Sequence, residues 1–257
     1  MRTYLLEVPT AATTGSYLPL VVSFHGYGKT AAEQEAYTQL SAHALHQGVY
    51  VITPDGLRDQ WNFVRRPTVG ASDTKFISSL LASLSQRICY DPHRVVATGI
   101  SDGADMANTL ACAYPGLVAA VFAVAPSIDS QACRRPAASM IEVHGTADPI
   151  VPFYGGGGDR PYPFQGTEAV PTYSRVARWA TLDHCASGPT QDAVASGVRL
   201  EAYSCPSGRQ VGLYVIAGGG HTWPGASPIP SLGPTSTAVS ADQAVIALAE
   251  DPDHLPW

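Results

Sequence analysis

Charge is scarce in this chain. Only 14% of its 257 residues are Asp, Glu, Lys or Arg, against 45% apolar residues. That balance excludes a disordered, self-repelling polypeptide and leaves enough apolar surface for a well-buried core. No run of Lys or Arg is present and the net charge is −6, which argues against nucleic acid as a partner. No window approaches the roughly twenty apolar residues of a membrane-crossing helix, so no membrane partner is expected. The five cysteines, Cys89, Cys112, Cys133, Cys185 and Cys205, form no C-x-x-C pair. That removes the usual signature of a zinc or thioredoxin-type centre. No internal repeat stands out either.

What is present is an alternation of two patterns. Strand-like apolar runs at 4–8, 18–24, 49–53, 94–99, 118–124, 139–143, 197–203 and 211–216 are interleaved with helix-like stretches. The helical candidates are 31–47, 73–88, 102–113, 168–182 and 240–249. Such alternation predicts an α/β fold: a mostly parallel central sheet with helices on both faces. The first strands, joined by a short turn, can make an antiparallel edge. Residues that must meet in one site are spread along most of the chain, so 1–257 is read as a single domain.

The most informative stretch is Gly99-Ile100-Ser101-Asp102-Gly103, a G-x-S-x-G sequence between a strand-like and a helix-like segment. A serine on so sharp a turn is a nucleophile elbow, its Oγ raised at the sheet edge beside backbone N–H groups of a helix N-terminus. The bland alternative is a serine in a glycine-rich turn. A base and an acid are therefore required, and they should follow in the order Ser, Asp or Glu, His. Asp148 follows the strand-like 139–143, and His221 follows the strand-like 211–216. Asp55, Asp73 and Asp91 precede the elbow and Asp105 lies one turn beyond it, so none fits that order. The apolar run 18–24 leads into His25-Gly26-Tyr27-Gly28, a loop suited to supply one oxyanion donor. The two donors are read as the N–H groups of Tyr27 and Asp102.

With these residues in place the chain resembles a known family. Phe24-His25-Gly26-Tyr27-Gly28, Thr53-Pro54-Asp55-Gly56, Trp61-Asn62-Phe63, the elbow, His144-Gly145-Thr146-Ala147-Asp148 and Gly219-Gly220-His221-Thr222-Trp223-Pro224-Gly225 fall in a familiar order. They resemble the secreted feruloyl esterases and polyhydroxybutyrate-depolymerase-like esterases of the α/β-hydrolase superfamily. The resemblance implies an α/β-hydrolase fold, with Ser101 as nucleophile, Asp148 as acid and His221 as base. It departs at the elbow, where relatives often carry Asn-Gly-Gly after the serine and this chain has Asp102-Gly103-Ala104. A carboxylate at that position is expected to point to solvent and benefit from the helix dipole.

The resemblance further implies a serine esterase acting on hydroxycinnamoyl (feruloyl) esters of plant cell-wall polysaccharide. Hydroxyalkanoate or polyester-oligomer depolymerisation, acetyl-xylan hydrolysis and a non-catalytic role on the same scaffold remain alternatives. Neither a metal nor an organic cofactor is required, the partner is the small-molecule, polysaccharide or polyester ester itself, and a monomer is expected. Trp61 and Trp223 are read either as packing residues or as aromatic walls for substrate; the proximity of Trp223 to His221 favours the second. His25 and His144 are expected to hold tight loops by hydrogen bonds.

An exported protein is implied, in which disulfides persist. No leader precedes the strand-like 4–8, so one is expected to have been removed. Cys185 is expected to pair with Cys205 and Cys89 with Cys133, leaving Cys112 as a free thiol; five reduced cysteines are the alternative. Gly155-Gly156-Gly157-Gly158 and Pro161-Tyr162-Pro163 read as a flexible insert, either a lid or a mobile connection, and 226–237 as a loop beside His221.

Overall fold

Nine strands build one sheet, and the order in which they lie shows how the chain reached it. The computed structural model describes residues 2–13, 15–62, 72–128, 133–134, 136–157, 168–186, 188–206 and 208–256. Its strands are β1 (Tyr4–Glu7), β2 (Leu18–Phe24), β3 (Tyr50–Pro54), β4 (Tyr90–Ile100), β5 (Ala120–Val124), β6 (Ser139–Gly145), β7 (Thr190–Ala195), β8 (Val198–Ser204) and β9 (Gln210–Ile216). They lie in the order β1-β3-β2-β4-β5-β6-β9-β8-β7. The middle six run parallel, β1 at one edge and β8 near the other run antiparallel to them, and β7 pairs antiparallel with β8.

Parallel strands need crossovers, and helices supply them. These are α1 (Ala31–Thr38), α2 (Leu40–Leu45), α3 (Asp73–Leu84), α4 (Asp102–Ala113), α5 (Thr172–Leu182) and α6 (Ala241–Glu250). Residues of α3, α4 and α5, including Ile77, Leu110 and Trp179, pack in one apolar cluster with inward residues of the sheet such as Phe24 and Ile52. Leu40, Val245 and Leu248 of α2 and α6 pack in a second cluster with Val21, Val96 and Phe122. Covering both faces explains why the central strands are apolar at nearly every position instead of alternating.

The expected helix at 31–47 is two helices. Gln39 takes a left-handed conformation, φ 60°, between α1 and α2. Side chains replace the lost helical bonds there: Thr38 Oγ1 accepts from Leu40 N–H at 3.3 Å and Glu35 Oε2 from Ser41 N–H at 3.1 Å. Strand β7 was not anticipated, because its first four residues are exposed and polar or small. The Pro161-Tyr162-Pro163 part of the expected insert lies outside the described residues. Gly156, by contrast, makes a single antiparallel bridge to Ala169.

Two disulfides are present, and one differs from expectation. Cys185 joins Cys205, while Cys112 joins Cys133 and Cys89 is the free thiol. Cys112, near the end of α4, and Cys133 have Cα atoms 4.9 Å apart. That closeness comes from α4 packing beside the β5–β6 connection, and sequence spacing does not reveal it. Cys185 and Cys205 are separated by 20 residues, a span whose closure restrains the unfolded chain by about 3 kcal/mol. Replacing both with alanine should lower unfolding free energy by that order in denaturant titration. Finding both thiols free by non-reducing peptide mapping would remove the expectation.

Candidate active site

The sheet's C-terminal edge gathers the residues singled out from sequence. Ser101 stands between β4 and α4 with φ 59° and ψ −121°, a conformation that costs a non-glycine residue free energy and recurs at functional sites. Its two flanking glycines are required by crowding. A Cβ on Gly99 would lie 2.6 Å from the Phe24 carbonyl oxygen at the end of β2, and one on Gly103 only 2.1 Å away. The elbow can therefore press against the loop after β2 only with glycine at both positions.

Asp148 lies just beyond β6, and its carboxylate is held on both oxygens. Oδ1 accepts from the backbone N–H groups of Ile150 at 2.8 Å and Val151 at 2.7 Å. Oδ2 lies 2.8 Å from His221 Nδ1 and 3.3 Å from His144 Nε2. Burial opposes the charge, but the hydrogen bonds from His144 and His221 outweigh it and hold this carboxyl well below the usual carboxylate range. The Asp148 contact orients the His221 ring with Nδ1 as donor, so in the neutral form Nε2 is the acceptor. Asp105 makes no such pairing: it accepts from Ser127 N–H, Ser127 O–H and Ile128 N–H.

The loop carrying His221 is pinned in several places. His221 N–H donates to the Leu232 carbonyl at 2.7 Å, and Gly220 N–H to Pro234 at 2.8 Å. The 226–237 segment thus packs directly on the histidine loop. Trp223 turns into the core and does not reach the surface. Its indole is fully buried, packs edge-on to Phe122 and donates Nε1–H to Asp242 Oδ1 in α6 at 2.8 Å. The expectation of a substrate wall is corrected here: Trp223 anchors the loop of His221 to the core. Nearness in sequence on a loop does not say which way a side chain turns.

Trp61 is corrected in the same way. It is 6% exposed, stacks near the His25 ring at 4.7 Å and donates Nε1–H to the His25 carbonyl at 2.8 Å. His25 in turn donates from Nδ1 to the Gly26 carbonyl and accepts the Gly56 N–H on Nε2, each at 2.8 Å. Accepting on Nε2 requires the neutral ring, and burial favours it by lowering the imidazole's proton affinity. Asp102 is also not solvent-facing: it is 6% exposed and its Oδ2 accepts Trp61 N–H at 3.1 Å. The loop that bears Tyr27 is thereby tied to the first residue of α4.

A cavity of about 490 Å³ brings several of these residues together. Tyr27, Ser101, Asp102 and His221 line it; Trp61 and Trp223 do not. The remaining wall includes residues that sequence reasoning did not single out: Tyr37 and Gln34 of α1, Ile150, Val151, Ile229 and Leu232. Of these, Ile150 and Val151 were signalled by their position directly after the candidate acid. Tyr37 carries no local signature; its hydroxyl accepts Trp223 N–H at 3.1 Å, tying α1 to the histidine loop. Gln34 is 3% exposed and buries its amide nitrogen without a hydrogen-bond partner among the described residues.

Among the described residues, one cluster of metal-ligating side chains occurs, Asp183 with Cys185 and Cys205. Its two sulfurs are joined to each other as a disulfide, so neither is available as a thiolate ligand.

Comparison with known proteins now decides the family. The profile described as esterase PHB depolymerase matches residues 2–170. The chain belongs to that family. It is 28% identical over 235 residues to "Feruloyl esterase B" of Piromyces equi, an alignment covering 86% of this chain and 42% of the relative. It is 26% identical over 163 residues to "Feruloyl esterase C" of Emericella nidulans, covering 60% of this chain and 58% of the relative. The chain therefore spans about half the length of these curated relatives. An acetyl xylan esterase from Aspergillus awamori superposes with a TM-score of 0.63 at 18% identity, over 89% of this chain and 90% of that one. The fold is that of the α/β-hydrolase esterases, as the family resemblance implied.

Proposed function

We propose that this esterase-family chain hydrolyses carboxylic esters with Ser101 as nucleophile, His221 as base and Asp148 as acid. The observation that carries the reading is the meeting in one cavity of a conformationally strained serine and a histidine hydrogen-bonded to a buried carboxylate. In this mechanism Ser101 Oγ attacks the ester carbonyl carbon while His221 Nε2 takes its proton, and Asp148 stabilises the imidazolium. The carbonyl oxygen becomes an oxyanion received by the N–H groups of Tyr27 and Asp102, the latter favoured by its place at the N-terminus of α4. His221 then protonates the departing alcohol. Water, deprotonated by the same ring, attacks the acyl-serine and frees the acid. No step calls on a metal or organic cofactor.

The acyl group proposed is hydroxycinnamoyl, as in feruloyl esters of plant cell-wall polysaccharide. Tyr27, Tyr37, Ile229 and Leu232 offer the cavity an apolar and aromatic wall suited to a planar ring. Gln34 adds a polar side chain to that wall. Named feruloyl esterases among the relatives support the same choice. Two disulfides fit an oxidising, extracellular setting.

A substrate panel tests this reading. With methyl ferulate, p-nitrophenyl acetate, acetylated xylan and hydroxybutyrate oligomers, kcat/KM should be highest for methyl ferulate. Losing the ring's apolar contacts should cost the acetyl esters on the order of 1–3 kcal/mol, roughly 10–200-fold. A preference for hydroxybutyrate oligomers would replace the feruloyl assignment with polyester depolymerisation while leaving ester hydrolysis in place.

A further inference from the structure

Asp148 receives a second histidine besides His221, and that histidine is part of a buried charged cluster. We propose that His144 is a positioning residue: with its Nε2–H beside Asp148 Oδ2 it limits how strongly the acid holds the proton that His221 gains. The inference rests on the roles of Asp148 and His221 proposed above.

His144 lies at the end of β6, and its ring is held from both sides. Nε2 is 2.8 Å from the Val151 carbonyl and 3.3 Å from Asp148 Oδ2. A carbonyl has no hydrogen to give, so Nε2 carries the hydrogen whether the ring is neutral or charged. Nδ1 faces Thr172 Oγ1 at 3.2 Å, Arg175 Nη2 at 3.2 Å and Glu142 Oε1 at 3.3 Å. Arg175, from α5, donates through Nη2 to Glu142 Oε1 at 2.5 Å and to Thr172 Oγ1 at 3.0 Å. Glu142, His144, Asp148, Thr172, Arg175 and His221 are each at most 5% exposed.

The ionisable groups facing His144 are Glu142 on its own strand, Arg175 from α5 and Asp148 beyond β6. His221 meets it only through Asp148, and the buried Asp105 of α4 is near enough to feel the charge of Arg175. Glu142 and Arg175 offset each other. What remains is one carboxylate oxygen, Asp148 Oδ2, shared by two imidazoles. Negative charge drawn toward His144 is withdrawn from His221. The ring need not touch substrate to influence the reaction, since it acts through the acid.

Two substitutions separate this role from simple packing. His144→Gln can place an amide N–H near the position of Nε2, whereas His144→Leu cannot donate. The pH profile of kcat/KM for p-nitrophenyl acetate is the readout. In His144→Leu the Asp148 carboxylate, relieved of one donor, holds the imidazolium more tightly. The acid limb should then move to higher pH by about half a unit or more, while His144→Gln keeps the wild-type limb. A limb in His144→Leu that stays in place or moves to lower pH overturns the proposal, and so does His144→Gln shifting as His144→Leu does. If the leucine variant does not fold, His144→Asn replaces it, its shorter amide falling short of Asp148, with the same expected shift. Failure of the underlying assignment would show separately, as activity retained in Ser101→Ala.

Discussion

Ser101→Ala should lower kcat/KM by roughly 10⁴-fold or more, His221→Ala by a similar factor, and the double variant should be hardly worse than either. The nucleophile and its base act as a unit, so removing one leaves nothing for the other to do. Residual hydrolysis would come from the donors around the oxyanion, which both substitutions leave in place. Stability is a useful control. Alanine at 101 inherits the same positive φ that serine bears there, so the strain of the elbow persists. A surface-like change in unfolding free energy, within about 0.5 kcal/mol, is expected. Losses that add in the double variant would mean that the two side chains do not share a step, and the triad assignment would fall. Asp148→Asn should behave in kind, since an amide nitrogen facing Nδ1 favours the wrong ring tautomer.

Trp223→Ala should be the most destabilising of the single substitutions considered, by about 3–5 kcal/mol in denaturant unfolding. The indole is fully buried in the cluster between α2, α6 and the sheet, and its loss leaves a large void. It also removes the partner of Asp242 Oδ1, leaving that buried carboxylate with His43 on Oδ2 alone. Trp223→Phe should recover part of the loss by refilling the space without restoring the hydrogen bond. Because the same loop carries His221, activity should fall by similar factors on methyl ferulate and p-nitrophenyl acetate. A change below about 1 kcal/mol with a loss confined to the ferulate ester would restore Trp223 as a substrate wall.

Much of the fold can be read along the chain because its strands are short apolar runs and its helices begin at recognisable signals. Thr30 and Glu33, for example, form a reciprocal cap at the start of α1. The failures have a common cause. Gln39 breaks a helix-like stretch because Thr38 and Glu35 offer the backbone alternative partners, and β7 gains its place from pairing with β8 despite its exposed composition. Each depends on contacts formed after the local pattern has been set.

Residue order and type by themselves determined the architecture and the candidate triad. The period of the apolar runs carries the first, and the second needs only a G-x-S-x-G turn followed by an acid and a histidine after later strands. Tertiary structure alone decided the rest. It turned Trp61 and Trp223 inward, joined Cys112 to Cys133 and left Cys89 free. It also lined the cavity with Tyr37, Ile229 and Leu232 and brought His144 onto Asp148. The physical reason is that a sequence pattern records which residues are apolar or able to react. The direction of a loop side chain and the distance between remote residues arise only when helices pack on the sheet and each buried polar group finds its partner.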